Sequence, residues 1–389
     1  MDGDAGFYQY EQDAGMFAGD MRDSYQDAEY ALEDNGLHMT AFGAQGNPRA
    51  QDKHTITRGW EKFAFPKAVR LLRETDLKLQ QKALLTISEL LSTGEACVQL
   101  INAGVVVALT ECLGAEDETV RERAAADLEI LIGVAGAKGC NQMLEDGAVE
   151  KLLSLLDDSS AAVRNAVYNA LVEGCMRSAA IQARLCSTEG TLEGLLAKAG
   201  EEDPERVACA LELIRVCLAG RNPGAADQLL RVGALATLVQ IMDKDDAAVV
   251  EGATMVLGLL CVEWDAKAEA VKAKAVPALV DLMGKHEQLS TKIVAVAALM
   301  NICVDTAGKA ASVEDGAVPL LAEALEVDDE KLVLNSLQCI ASIAENKAGR
   351  ALLQPLAPRL AELMHHHVTV IQRHAMLAMR AVEFKELGK

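Results

Sequence analysis

Aromatic residues make up only 3% of this 389-residue sequence, with two Trp, five Tyr and six Phe. Any core must therefore be aliphatic, since 51% of the chain is hydrophobic and Ala, Leu and Val dominate. Proline is scarce too, at eight residues, and such a mix favours helix over strand. Cations are the third shortage: 37 Lys and Arg face 58 Asp and Glu, a net charge of −21. A chain this acidic lacks the basic footprint that phosphate neutralisation requires, which argues against nucleic acid and anionic membranes as partners.

Metal and redox motifs are missing as well. The ten cysteines are never closer than eight residues, and no CxxC pair exists, so zinc and thioredoxin-like readings fail. Most sit among Leu, Val and Ala, and are expected to be buried free thiols in a reducing compartment. The opening "MDGDAGFYQY" has neither the basic nor the apolar region of a signal peptide, and no apolar run is long enough to span a bilayer. The expectation is a soluble intracellular protein of the cytoplasm, with no membrane partner.

Residues 1–50 carry ten acids against Arg22 and Arg49, and four of the five tyrosines, Tyr8, Tyr10, Tyr25 and Tyr30. With no sustained apolar period, such a segment buries too little surface alone to offset its ordering entropy. Residues 1–55 are therefore expected to form an acidic extension, disordered in isolation, with Tyr8, Tyr10, Tyr25 and Phe17 available for a partner to bury.

From about residue 60 a helical period takes over, broken at regular intervals by one step. It reads "INAGVVVALTECL" at Gly104, "LEDGAVEKLLSLL" at Gly147, "STEGTLEGLLAKA" at Gly190 and "LRVGALATLVQIM" at Gly233. Lys274 takes the glycine place in "AKAVPALVDLM", Gly316 restores it in "VEDGAVPLLAEAL", and a weaker version closes near Leu356. The intervals are 43, 43, 43, 41, 42 and about 40 residues. A second register, of apolar anchors at Ile87, Leu128, Leu171, Ile214, Leu257, Leu299, Ile340 and Met379, keeps the same phase. Each unit reads as three helices: a short one ending at the glycine, a Leu-rich one with proline in its first turn (Pro277, Pro319), and a longer Ala-rich one. No unit of this size encloses its own apolar face, so neighbours must stack. Trp60, Phe63 and Phe65 are expected to cover the apolar end of the first.

A three-helix unit of roughly 42 residues with a Gly-Ala-Val-x-x-Leu step resembles the armadillo repeat, from about residue 62 to 385. "TDLKLQQKALLTISELL" in the first repeat and "RHAMLAMRAVEFK" in the last resemble the armadillo proteins of the ciliary radial spoke. The resemblance implies an all-α fold: a right-handed superhelical solenoid of about eight three-helix repeats over residues 56–389. It also implies a non-catalytic scaffold or adaptor subunit of the axonemal radial spoke, in a cilium or flagellum, supporting motility through contacts with other protein subunits. The alternative is a soluble armadillo adaptor that binds transient peptides in transport or signalling.

Several constellations look like chemistry and have plainer readings. "GVAGAKG" at 133–139 lacks the preceding strand and Gly-Lys-Ser/Thr ending of a phosphate loop, and similar pieces recur at 304–310 and 344–350 between repeats. His365, His366 and His367, with His374 nearby, fall in or near the loop where other repeats carry acids, which reads as surface rather than a metal site. No catalytic residue, metal ligand or cofactor site is expected, and no small-molecule substrate. Acid clusters precede the third helices (Glu116–Glu118, Asp157–Asp158, Glu201–Asp203, Asp243–Asp246, Asp328–Glu330), where a carboxylate favours the helix N-terminus by roughly 0.3–1 kcal/mol. One acid per loop satisfies that; the others form a solvated face or an acidic docking ridge.

Armadillo proteins use an inner groove lined by third helices, and nuclear-import adaptors carry Trp and Asn there, two residues either side of the buried anchor. At those places only Asn301 matches and no tryptophan does, so import-signal binding is not implied. The candidate partner-binding groove is Asn169, Glu173, Glu212, Met255, Leu259, Asn301 and Gln338, which would suit a helix or extended chain of mixed character.

Overall fold

A glycine between two helices lets the backbone enter the left-handed region, and the repeat step uses it: φ is +84° at Gly104, +71° at Gly147, +76° at Gly190, +79° at Gly233 and +81° at Gly316. Lys274 follows them at +65°, the one non-glycine residue with positive φ among the described residues. The structure is a computed structural model describing residues 64–200, 203–220, 222, 224–285 and 288–384, and among these every regular element is a helix. The extension 1–55, Trp60 and Phe63 lie outside the described residues, while Phe65 is half-buried.

The first repeat contributes α1 (Ala64–Leu71) and α2 (Leu77–Leu90). Three helices each follow in the second, α3 (Gly94–Asn102), α4 (Val105–Cys112) and α5 (Glu118–Ala135), and in the third, α6 (Ala137–Glu145), α7 (Ala148–Leu153) and α8 (Ala161–Arg177). The fourth has α9 (Ala179–Ser187), α10 (Thr191–Ala199) and α11 (Pro204–Ala219); the fifth α12 (Ala225–Arg231), α13 (Ala234–Ile241) and α14 (Ala247–Leu260). The sixth has α15 (Trp264–Lys272), α16 (Ala275–Lys285) and α17 (Leu289–Ile302); the seventh α18 (Thr306–Glu314), α19 (Ala317–Ala324) and α20 (Glu330–Ile343). The eighth is α21 (Lys347–Leu353), α22 (Ala357–Leu363) and α23 (Thr369–Val382). Its step departs from the others: Leu356 stays right-handed at φ −80°, and a 3-10 turn over Gln354–Leu356 joins the helices. Leucine pays a steric penalty in the left-handed region that glycine does not, so the chain turns differently there.

The chain divides into two compact units, residues 1–181 and 182–389. In the first, α2 packs on α5 and α5 on α8, with the anchors Ile87, Leu128 and Leu171 fully buried. In the second, α11, α14, α17, α20 and α23 pack each on the next around Ile214, Leu257, Leu299 and Ile340. Met379, the eighth anchor, is only half-buried. Close approach depends on small residues: a Cβ on Gly258 of α14 would stand 3.3 Å from Ala298 of α17. All ten cysteines are free, nine of them buried, and burial pushes the Cys261 thiol up to about 12.

The acids before third helices divide as their chemistry asks. Asp76, Asp117, Asp203, Asp246 and Asp329 cap α2, α5, α11, α14 and α20, each accepting from a backbone N–H at 2.8–3.3 Å. Asp158 does something else. It accepts two bonds from the Arg121 guanidinium, at 2.8 and 2.9 Å, and a third from the Ser160 N–H. Both side chains are largely hidden, and the pairing holds Asp158 below the usual carboxylate range. It is thus a clasp between the second and third repeats rather than part of a solvated face.

Asp127 of α5 is completely buried. Its Oδ1 accepts from Ser88 of α2, while Oδ2 makes no hydrogen bond. Desolvation raises its pKa to about 7, opposed by the Ser88 bond and the Arg123 charge. The folded state therefore keeps a proton that the unfolded state has released between about pH 4 and pH 7. Stability should be highest below that window, fall across it, and level off above. Asp127→Asn keeps an acceptor for Ser88 without the charge, and should flatten the profile and gain on the order of a few kcal/mol at pH 8 in denaturant melts. Lys274→Gly should add about 1 kcal/mol by relieving left-handed strain, and Gly316→Lys should remove a similar amount.

Candidate partner-binding surface

Two residues before and after a buried anchor, a helix presents side chains away from the core, which is where the candidate groove residues stand. In the first unit, α8 carries an exposed Asn169 and a half-buried Glu173, which pairs with Arg177 one turn on. Glu173 also rests against α5, its carboxylate 3.6 Å from where a Gly133 Cβ would be.

In the second unit the same register gives Glu212 on α11, Met255 and Leu259 on α14, Asn301 on α17 and Gln338 on α20. Glu212 is held by a two-bond pair with Arg215, at 2.6 and 2.7 Å. The Asn301 amide donates to the Gly258 carbonyl at 2.9 Å, so one of its donors is spent joining α17 to α14. Gln338 meets His374 of α23 at 3.0 Å across the next pair of repeats. Met255, Leu259 and Asn301 come together with Arg215, Ala297 and Met300 around one depression of about 250 Å³. Gln338 is outside it.

Leu259 also borders a second hollow, of about 530 Å³, with Leu218, Asn222, Val262 and Glu263. Val262 and Val304 are 52% and 46% exposed, five residues after the anchors Leu257 and Leu299, and Trp264 is 67% exposed. Lys267 sits over the Trp264 ring at 5.7 Å while its ammonium donates to the carbonyls of Val262 and Glu263, which fixes this rim. These three apolar residues, absent from the sequence-based set, lie just past the helices: Val262 after α14, where it joins Leu259 in the hollow, Val304 after α17, and Trp264 at the start of α15. The repeat register held the signal for two of them, because Val262 and Val304 occupy the same place in successive repeats, three residues after Leu259 and Asn301.

Among the described residues no group of three His, Cys, Asp or Glu could hold a metal. His366 Nδ1 accepts from the Val368 N–H at 3.1 Å, His367 pairs with Glu330 at 3.4 Å, and His374 is held between Gln338 and the Val370 carbonyl. The three glycine-containing pieces span junctions between repeats and run into helices: Gly136 separates α5 from α6, while Asp305 and Asn346 cap α18 and α21, which contain Gly308 and Gly349. No described helix is long and apolar enough to cross a membrane by itself.

The Armadillo/beta-catenin-like repeat family model matches residues 265–304, which span α15 to α17. Radial spoke protein 14 of Chlamydomonas reinhardtii is 31% identical over 374 residues, covering 93% of this chain and 96% of its own. A crystal structure of an engineered protein superposes with a TM-score of 0.75 at 22% identity, over 83% of this chain and 79% of that one, a likeness of fold.

Core and surface positions on α14 should separate in stability measurements. Leu257→Ala, at a fully buried anchor, is expected to cost about 2–5 kcal/mol, and Met255→Glu two residues away less than about 0.5 kcal/mol. Asn301→Ala should cost about 1 kcal/mol through its lost bond to Gly258. Denaturant unfolding of the three variants checks the order.

Proposed function

The chain belongs to the radial spoke protein 14 family, and on that footing we propose that it is a non-catalytic scaffold subunit of a radial spoke in the axoneme of a cilium or flagellum. The observation that carries the reading is the extent of the match, 93% of one chain against 96% of the other. Armadillo repeats supply what such a subunit needs: stacked helices that expose faces on which other proteins can pack. Its partners are protein subunits of the assembly, and it uses no cofactor.

In the second unit the apolar strip Met255, Leu259, Val262 and Val304 is the docking surface we assign to a neighbour, with Glu212–Arg215 and Gln338 as its polar margins. Asn169 and Glu173 offer a polar contact in the first. A helix carrying apolar residues at three- and four-residue spacing fits the strip. The strip also favours a second reading, a soluble adaptor that captures transient peptides, since an apolar groove serves either role.

Exchange separates the two. A scaffold locked in by many contacts acting jointly exchanges slowly, whereas an adaptor cycles. A tagged copy should sit in the axoneme and recover little over minutes after photobleaching, and cells lacking the protein should keep their cilia but beat them poorly. A mostly soluble copy with recovery in seconds would favour the adaptor. Leu259→Asp should release the protein from the axoneme with its melting temperature nearly unchanged; full retention would place the docking surface elsewhere.

A further inference from the structure

The hollow beside Leu259 has an apolar wall and an acidic margin. Leu218, Ala219, Leu259 and Val262 supply the wall, Asp227 and Glu263 the margin, and no Lys or Arg is among the described residues that line it. Asp227 and Glu263 are both exposed, and neither makes an ion pair with a described residue. Glu263 begins α15 as Asp305 begins α18 and Asn346 begins α21, yet it is used differently. Asp305 accepts from the Ala307 N–H at 2.7 Å and Asn346 from the Ala348 N–H at 2.9 Å, whereas the Glu263 side chain caps nothing.

The cations of this neighbourhood are committed elsewhere. Lys267 gives its ammonium to the backbone carbonyls of Val262 and Glu263, and Arg215, on the depression that shares Leu259, is held by Glu212. The hollow is also fixed before anything enters it. Asn222, on its wall, donates to the Gln182 side chain at 3.2 Å and to the Cys217 carbonyl at 3.4 Å. Gln182 is buried and itself donates to the Val216 carbonyl at 2.8 Å, so little ordering remains to oppose binding. A wall of this kind is complementary to a side chain that is aliphatic along its stem and cationic at its tip. Arginine suits it better than lysine, because a planar fork with five donors can bond two carboxylates at once.

We propose that the hollow receives an arginine of a neighbouring protein subunit, carried by the same helix that covers Met255 and Leu259; this rests on the docking strip assigned above. The arginine stem lies against Leu218, Ala219 and Val262, and its guanidinium meets Asp227 and Glu263. Leu259 borders both the hollow and the apolar depression, so the partner helix presents an apolar residue and the arginine on one face, three or four positions apart. The apolar residue supplies contact area and the arginine fixes the register of the helix on the strip.

Competition inside the cell tests the assignment. Unaltered protein and a variant, carrying different tags, are co-expressed in cells that lack the endogenous copy. The ratio of the two in isolated axonemes, divided by their ratio in whole cells, reads relative occupancy. Asp227→Asn with Glu263→Gln should fall at least about tenfold in that ratio, with an unchanged melting temperature because both residues are exposed. Asp243→Asn with Asp245→Asn removes the same charge from exposed positions away from the hollow, and should compete equally. Leu259→Asp reads the strip itself and should be excluded. If Leu259→Asp is excluded while the Asp227 and Glu263 variant competes equally, the arginine is overturned and the strip stands. If both compete equally, the strip fails and the arginine with it. Equal losses from the Asp243 and Asp245 control would show an effect of net charge alone and overturn the proposal. Loss from the Asp227 and Glu263 variant with full retention of Leu259→Asp would overturn the single helix spanning both sites.

Discussion

A unit of about 42 residues in three helices has too little interior to hide its own apolar side chains, so every repeat depends on its neighbour to complete a core. The contact that meets this need is third helix on third helix, and its closeness sets much of the composition. Where α14 meets α17, Gly258 faces Ala298; where α11 meets α14, a Cβ on Gly252 would lie 3.4 Å from Leu211. Aromatic rings would hold such helices apart. Small and aliphatic residues, and cysteines used as small apolar ones, fill the space instead. The sparse aromatics of the sequence follow from the stacking.

The same stacking decides which polar residues remain for partners. Arg121 and Asp158 clasp two repeats in the first unit, and Asn301–Gly258 and Gln338–His374 do so in the second. Side chains that look from the sequence like groove contacts are in part already committed to holding repeats in register. What is left open on α14 and α17 is mostly apolar, and a surface of that kind gains by covering it with another protein. Polar groups that join repeats, and an open apolar surface on α14 and α17, are what the proposed scaffold role draws on. That is the physical content of the scaffold reading.

Much of this was legible in the residues, because repetition averages over local ambiguity. The glycine step placed the left-handed turns, and the phase put Lys274 into the same conformation against its own preference. The acids before third helices announced the caps. Other features were hidden for definite reasons. Asp127 sits in "RAAADLEIL", where an acid reads as an exposed helical position; only packing against α2 shows that it is buried with one oxygen unpaired. Arg121 and Asp158 are 37 residues apart, and their pairing depends on how two repeats abut. Leu356 fills the glycine place by count, yet the backbone there takes a 3-10 turn. Met379 keeps phase with the anchors but is only half-buried. Of the candidate surface, Met255, Leu259 and Asn301 meet as the register required, while Val262, Trp264 and Val304 escaped notice because apolar residues near an anchor read as core.

The account holds that this chain is a built-in part of a radial spoke. Stepwise extraction of demembranated axonemes measures that most directly, with the protein followed by quantitative mass spectrometry beside known spoke subunits. The account predicts that it stays with the axoneme until conditions release whole spokes, and then leaves with them in a fixed ratio to the other subunits. Release under milder conditions, or a ratio to spoke subunits that varies from one fraction to the next, would contradict it.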